Sequence, residues 1–220
     1  MKNSVVKKTI PEKLLDMLLP FYCRGCGKAG SLLCDDCKSN IKIIGRVPAG
    51  NKDIKLGEIE ELYIGGFREG ALKNLIADYK FKSVKKATEI LVSILDEAVP
   101  KGLNVVIVPL PTIRKHIRER GFDHTKRIAK EFGKRRGLLV SEVLLRVNKT
   151  VQVGADEETR EKQAAEAYAV DMEKFDADKT YLLLDDVWTT GASMRSAAKK
   201  LREAGAKQIL GASLSLSSDQ

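Results

Sequence analysis

The segment from Tyr181 to Ala212 constrains the fold of this chain more than any other. Tyr181-Leu182-Leu183-Leu184 is a short apolar run that leads into the adjacent carboxylates Asp185-Asp186. After a Thr-Thr-Gly turn, Met194, Ala197, Ala198, Leu201 and Ala204 recur at helical spacing, and Gly205 stands where a helix stops. Gln208 to Ala212 is a second apolar run. A strand, a loop, a helix and a second strand in that order imply a parallel pair joined by a right-handed crossover. Upstream, Asn104 to Val108 reads as a buried strand ending in Pro109-Leu110-Pro111, and Tyr63 to Phe67 as another. Helices are expected where Ala71, Leu72, Leu75, Ile76 and Tyr79 share a face, where Ile90, Leu91, Ile94, Leu95 and Ala98 do, and around Ile128, Ala129 and Phe132. Alternating strands and helices predict an α/β fold with an open, mostly parallel sheet, whose ligands bind at the carboxyl ends of the strands.

The four cysteines of the chain all belong to one pattern. Cys23 and Cys26 form one C-x2-C pair, and Cys34 and Cys37 form a second after seven residues. Two such turns present four thiolates to one tetrahedral ion, the arrangement Zn²⁺ prefers, with no position left open for water. The expected metal is therefore structural zinc. A module of about 45 residues has little core of its own, so metal binding would supply its folding energy. The expected division is a four-cysteine module with its linker over residues 1–55 and an α/β domain over 56–220, the linker lying between Gly45 and Gly57.

Charge is unevenly spread. The net charge is +9. Residues 1–55 carry 11 basic groups against 5 acidic, and residues 110–137 carry 10 against 3, whereas 138–180 are acidic. Two basic blocks suit a polyanionic partner, either a nucleic acid or a phosphorylated small molecule. Arg135 and Arg136 are candidates for backbone contact in the first case. Aromatic residues are few in these blocks, namely Phe21, Tyr22 and Phe122, with Phe132 on the inward face of its helix. No stretch approaches the ~20 apolar residues of a membrane span, and no secretory leader is legible, so the chain reads as cytoplasmic.

The loop after Leu184 has the chemistry of a ribose-phosphate site. Backbone amides at a helix start and the positive end of its dipole hold phosphate. Thr189, Thr190 and Ser193 add hydroxyl donors, and Gly191 lets the backbone approach closely. Asp185 and Asp186 can accept hydrogen bonds from vicinal hydroxyls. Trp188 either packs on the sheet or covers the ribose. His116 and His124, the only histidines, lie near a basic segment and read as surface groups rather than as a catalytic base.

The segment from Leu183 to Ser193 resembles the phosphoribosyl pyrophosphate (PRPP) loop of type I phosphoribosyltransferases. Val108-Pro109-Leu110-Pro111 followed by Arg118-x-Arg120-Gly121-Phe122 resembles the "PxP…RxRGFN" stretch of the competence protein F (ComF) group. Leu145-Arg146, Thr150, Gln152 and Arg160, the Tyr79-Lys80-Phe81-Lys82 segment and the four-cysteine module also resemble that group. The chain departs from it at Asp123-His124, where Asn-Gln is usual, and at Gln163 and Tyr168, where Asn and Phe are usual.

The resemblance implies the type I phosphoribosyltransferase fold, with a zinc module where other members carry a hood. It implies that Asp185 and Asp186 hold the ribose hydroxyls, that Val187, Thr189, Thr190, Gly191, Ala192 and Ser193 wrap the 5-phosphate, and that Mg²⁺ accompanies PRPP. It further implies that Pro109, Leu110, Pro111 and Thr112, with Arg118 and Arg120, face pyrophosphate; the polar stretch from Asn148 to Glu161, which lacks an apolar period, is expected to be a mobile lid from which Arg160 reaches pyrophosphate. Three functions follow: phosphoribosyl transfer to an unnamed acceptor, a non-catalytic adaptor that handles single-stranded DNA with a competence helicase and recombination mediators during DNA uptake, or a PRPP-sensing regulator.

Overall fold

The computed structural model describes residues 21–82, 85–147 and 167–217. Arg160 and the proposed lid lie outside those residues, as do Thr150, Gln152 and Gln163. The described chain forms an open six-stranded sheet in the order β1-β2-β8-β7-β3-β4. The strands are β1 (Gly45–Pro48), β2 (Glu61–Phe67), β3 (Val106–Pro109), β4 (Leu139–Val140), β7 (Thr180–Trp188) and β8 (Gln208–Leu216). All pairs are parallel except β1 with β2. A separate antiparallel pair joins β5 (Leu144–Arg146) to β6 (Tyr168–Val170).

Alternation along each strand sends side chains to both faces of the sheet, and both faces are covered. Leu182 and Leu184 of β7, with Ile107, Leu210 and Ala212, pack under α2 (Gly70–Lys82), α3 (Lys85–Ala98) and α5 (His124–Arg136). Tyr181 and Leu183, with Val106, Val108 and Ile209, pack under α6 (Ala192–Glu203) through Met194, Ala197, Ala198 and Leu201. Of the three helical stripes expected from the sequence, Leu72, Leu75, Ile76 and Tyr79 on α2, Leu91, Ile94, Leu95 and Ala98 on α3, and Ile128, Ala129 and Phe132 on α5 are buried, whereas Ala71 and Ile90 are half-buried at the edge of the core. Among the described residues no helix is long and apolar enough to cross a membrane.

Two expectations need correction. The segment from Gly45 was expected to be a linker, yet Gly45–Pro48 is an edge strand of the main sheet, in register from Gly45 opposite Ile64 to Pro48 opposite Glu61. Proline is tolerated there because an edge position leaves one side of the strand without ladder bonds to fill. The strand expected to end at Leu184 instead runs through the two aspartates to Trp188, held beside β8 with Asp185 opposite Ser213 and Val187 opposite Ser215. The cysteine segment with α1 (Asp35–Ser39) does not stand apart: Cys23, Leu32 and Leu33 share a core with α2 and α3. Asn74 Nδ2 donates to the Arg24 carbonyl at 2.9 Å, Arg24 pairs with Asp78, and Lys38 pairs with Glu97 at 3.0 Å.

The basic block of residues 110–137 is partly committed to the fold. Arg136, 9% exposed at its side chain, pairs with Asp96 and donates to the carbonyls of Asp96, Val99 and Pro100 at 2.7–2.8 Å. Arg135 approaches the same carboxylate at 3.4 Å. Arg136 therefore ties the end of α5 to the end of α3 and is not available for a nucleic-acid backbone.

Arg136→Ala leaves Asp96 and three carbonyls short of donors, and should destabilise the fold by about 3 kcal/mol in urea titration. Arg136→Lys should recover little of it, because an ammonium cannot reproduce the fork. Burial works to raise the Asp96 carboxyl, but Lys101 and Arg136 outweigh it and hold it below its ordinary value. A depressed native value places this stabilisation above the unfolded value of about 3.9 and removes it as pH falls through the native value. The gap between wild type and Arg136→Ala should therefore be full at pH 7 and shrink as the solution is acidified below about pH 4.

Candidate ribose-phosphate cleft and cysteine cluster

Strand order fixes where a ligand can enter. From β3 the chain continues to β4 on one side, whereas from β7 it continues to β8 on the other, although β3 and β7 are neighbours with Pro109 opposite Leu184. The two connections diverge and leave a crevice beyond the carboxyl ends of β3 and β7. A cleft of about 250 Å³ occupies that place. Its floor is Asp185 and Asp186 of β7. One wall is the turn from Leu110 to Ile113, anchored by the Leu110 amide donating to the Leu184 carbonyl at 2.9 Å. Other walls come from Lys80 of α2, from His116 and Arg120 of α4 (Arg114–Arg120), from His124 and Thr125 at the start of α5, and from Arg146, Tyr168 and Ser193.

Asp186 is the most engaged group in the cleft. Its carboxylate is ion-paired with Lys80, and His124 Nε2 lies 3.7 Å away. His124 was expected at the surface but is buried, at 5% exposure. Its ring meets Arg120 at 3.0 Å and its carbonyl accepts from the Tyr79 hydroxyl at 2.7 Å. Burial alone would raise the Asp186 carboxyl, but His124 and the Lys80 ammonium outweigh it and hold it well below the carboxylate range. Half-buried Asp185 accepts from the Asp186 amide at 2.8 Å. Burial first, then the negative charge of Asp186, push Asp185 well above the usual range. The two adjacent carboxyls are thus pushed in opposite directions, Asp186 toward the anion and Asp185 toward the protonated form.

The loop after β7 is short. Thr189, Thr190 and Gly191 link Trp188 to α6, and with Asp185, Val187, Ala192, Ser193 and Met194 they line a recess of about 50 Å³. Gly191 caps α6 at φ +75°. A Cβ there would fall 2.1 Å from the Trp188 ring, so position 191 excludes side chains for two separate reasons. Trp188, 2% exposed, packs into the core rather than over the mouth of the cleft.

The remaining expected residues divide. Arg120 lines the cleft; Arg118 is exposed and is not among its lining residues. Pro109 lies at the end of β3 and lines the neighbouring cavity on the far side of the turn. The Thr112 hydroxyl donates to Asp123 at 3.0 Å, and Asp123 also caps α5 by accepting from the Lys126 amide at 3.1 Å. Sequence reasoning did not assign Lys80 or Arg146 to the cleft. Lys80 sits one residue beyond the apolar stripe of α2, and only its pairing across the fold reveals its place.

The four cysteine sulfurs lie within 4.8 Å of one another. Cys23 Sγ and Cys34 Sγ are 3.6 Å apart, and Cys26 Sγ and Cys34 Sγ 3.7 Å. The Gly25 and Cys34 amides point at Cys23 Sγ, each at 3.4 Å. Burial works against the Cys23 thiolate, but amides of Cys34, Cys26 and Gly25 outweigh it and hold it at about 6. Crowding by the Cys23 and Cys34 sulfurs pushes Cys37 up to about 12. Four thiols this close cannot all ionise without a cation, and four sulfurs able to surround one ion fit structural zinc. A Cβ on Gly25 would fall 2.5 Å from Cys37 Sγ, so the knuckle closes only around glycine there. A larger cavity of about 380 Å³ adjoins the knuckle, between Ile41, Phe67 and Leu72, but lacks the paired carboxylates.

The fold and site thus define an open α/β protein with a charged cleft at its topological switch point and a docked four-cysteine knuckle. No family model matches the chain, and no curated protein matches it. Among solved structures it is similar to one described as the allosteric regulatory enzyme of purine biosynthesis, at 16% identity and a TM-score of 0.44. That likeness covers 62% of this chain and 29% of that one, and is too slight to define a family or an activity.

Purified protein should carry close to one equivalent of zinc by elemental analysis. Cys34→Ser and Gly25→Ala should each lower zinc content and soluble yield together, because metal binding is coupled to folding of the knuckle and the knuckle shares its core with α2 and α3. Zinc-free protein with unchanged thermal stability would contradict the assignment.

Proposed function

We propose that the cleft binds PRPP with Mg²⁺ and that the protein transfers the phosphoribosyl group to an acceptor. The observation that carries this reading is the contiguity of four features at the carboxyl end of β7: two adjacent carboxyls, a Thr-Thr-Gly turn, a small recess beside the first turn of α6, and a cationic cleft joined to it. Each matches one part of the ligand. The recess, with the hydroxyls of Thr189, Thr190 and Ser193 and the positive end of α6, suits the 5-phosphate. Asp185 and Asp186 suit the 2- and 3-hydroxyls. Arg120, Lys80 and the turn from Pro109 to Thr112 suit pyrophosphate. Mg²⁺ would be held by ligand phosphate and ribose oxygens and would offset charge on the leaving group.

Transfer needs no protein nucleophile. The bond from the anomeric carbon to pyrophosphate breaks with its electron pair leaving on pyrophosphate, and a lone pair of the acceptor forms the new bond. The protein's part is to orient the ribose, to stabilise charge growing on pyrophosphate and to limit water. The likeness to the ComF group, carried by the residues quoted above, supports a link to DNA uptake. A direct nucleic-acid contact is less well supported, since Arg136 is committed to Asp96 and three carbonyls.

Calorimetric titration of PRPP and ribose 5-phosphate, with and without Mg²⁺, tests this reading. Wild type should bind PRPP with an affinity that rises with Mg²⁺. Asp185→Asn should weaken binding by about fivefold, the size of one hydrogen bond of about 1 kcal/mol. Thr190→Val should weaken it less, because the backbone amides remain. A wild-type protein that binds neither ligand would overturn the reading.

A further inference from the structure

The cleft and the recess are two compartments that meet at Asp185 and Ser193, both of which line each of them. The recess, at about 50 Å³, has room for a small group such as one phosphate beside α6. The cleft, at about 250 Å³, is lined by the fixed cations Lys80, Arg120 and Arg146, by His116 and His124, and by the carboxyls Asp185 and Asp186. A ligand with its only anionic group in the recess would cover these cations without neutralising them.

Lys80 is the cation most dependent on its partner. Its side chain is 18% exposed and that of Asp186 10%, and the two are paired. The Tyr79 hydroxyl on the His124 carbonyl, with the Tyr79 ring edge-on to Phe122 at 5.6 Å, fixes α2 against α5 and so fixes where the lysine points. One Asp186 oxygen faces Lys80 and the other faces His124. A ribose hydroxyl that bonds Asp186 must therefore share or displace a donor already in place. Separating a half-desolvated lysine from its carboxylate is unfavourable unless a new anion meets it.

We propose, building on the reading above, that Lys80 is a specificity residue: it exchanges Asp186 for a second anionic group of the ligand, so that the cleft selects ribose 5-phosphates bearing a further phosphate or pyrophosphate beside the ribose hydroxyls. The exchange moves no covalent bond. Arg120 and Arg146 line the same compartment and complete the environment of that second anion. Ligands without it leave Lys80 on Asp186 and compete poorly for the carboxylate.

The test is calorimetric titration of PRPP and of ribose 5-phosphate, at fixed Mg²⁺, into full-length wild type, Lys80→Met, Lys80→Arg and the double variant Lys80→Met/Asp186→Asn. The double variant leaves no lone buried charge, so it remains informative if Lys80→Met fails to fold. Thermal melts establish that each protein is folded. Wild type should prefer PRPP by about tenfold or more, the size of one charge-assisted contact. Lys80→Met should lose most of that preference through weaker PRPP binding while its ribose 5-phosphate affinity holds or rises. Lys80→Arg should keep the preference, and the double variant should retain no more of it than Lys80→Met does. Equal losses for both ligands in Lys80→Met, or the full wild-type preference in the double variant, would overturn the role of Lys80 and leave the ribose-phosphate reading standing. A wild type that binds neither ligand would overturn that reading, and this inference with it.

Discussion

The carboxylate of Asp186 is the point on which the rest of the site depends. It stands at the end of the central parallel strand β7 and meets Lys80 from α2 and His124 from α5. Those helices lie on one face of the sheet and are themselves joined by Tyr79. A charge this far from water needs partners, and the partners arrive from elements distant in sequence. The pairing therefore ties folding to site geometry: only when α2, α5 and β7 are packed does the cleft acquire its shape and its charge. It also drives the two neighbouring aspartates apart, the Asp186 carboxyl downward and the Asp185 carboxyl upward.

Much of this was legible before the structure because it follows from local rules. The stripes on α2, α3 and α5 and the unit from β7 through α6 to β8 come from periodicity and from a glycine at a helix end. The cysteine cluster comes from spacing alone, since two C-x2-C turns leave few other arrangements. What escaped notice was long-range. Gly45–Pro48 has the glycine and proline of a linker, and only its position beside β2 makes it a strand. The aspartates after Leu184 looked like a loop because charged residues rarely end a buried strand; the ladder to β8 holds them in one. His124 lies in a basic helix that is polar overall, and its burial depends on Arg120 and Asp186. Arg136 belongs to the same charge run as exposed neighbours, yet it closes on three carbonyls and Asp96.

Charge composition supported two kinds of polyanionic partner, and the structure weighs them differently. One member of the second basic block, Arg136, is internal to the fold, whereas Arg135 beside it stays exposed. Other cations of the chain, Lys80, Arg120 and Arg146, converge on a small cleft beside two carboxyls. That convergence suits a compact, multiply charged ligand better than an extended strand. The knuckle packs on α2 and α3, so the four-cysteine cluster and the cleft share the helix that carries Lys80 although they lie in different parts of the chain.

The most direct measurement of the central claim is a crystal structure of the full-length protein grown with PRPP and Mg²⁺. The account predicts the 5-phosphate in the recess between Thr189 and Ser193, the ribose hydroxyls over Asp185 and Asp186, and the pyrophosphate in the cleft against Arg120 with Lys80 drawn toward it. Density for the ligand in the cavity beside the cysteine knuckle or behind the Pro109–Thr112 turn, with the Lys80–Asp186 pair undisturbed, would contradict it.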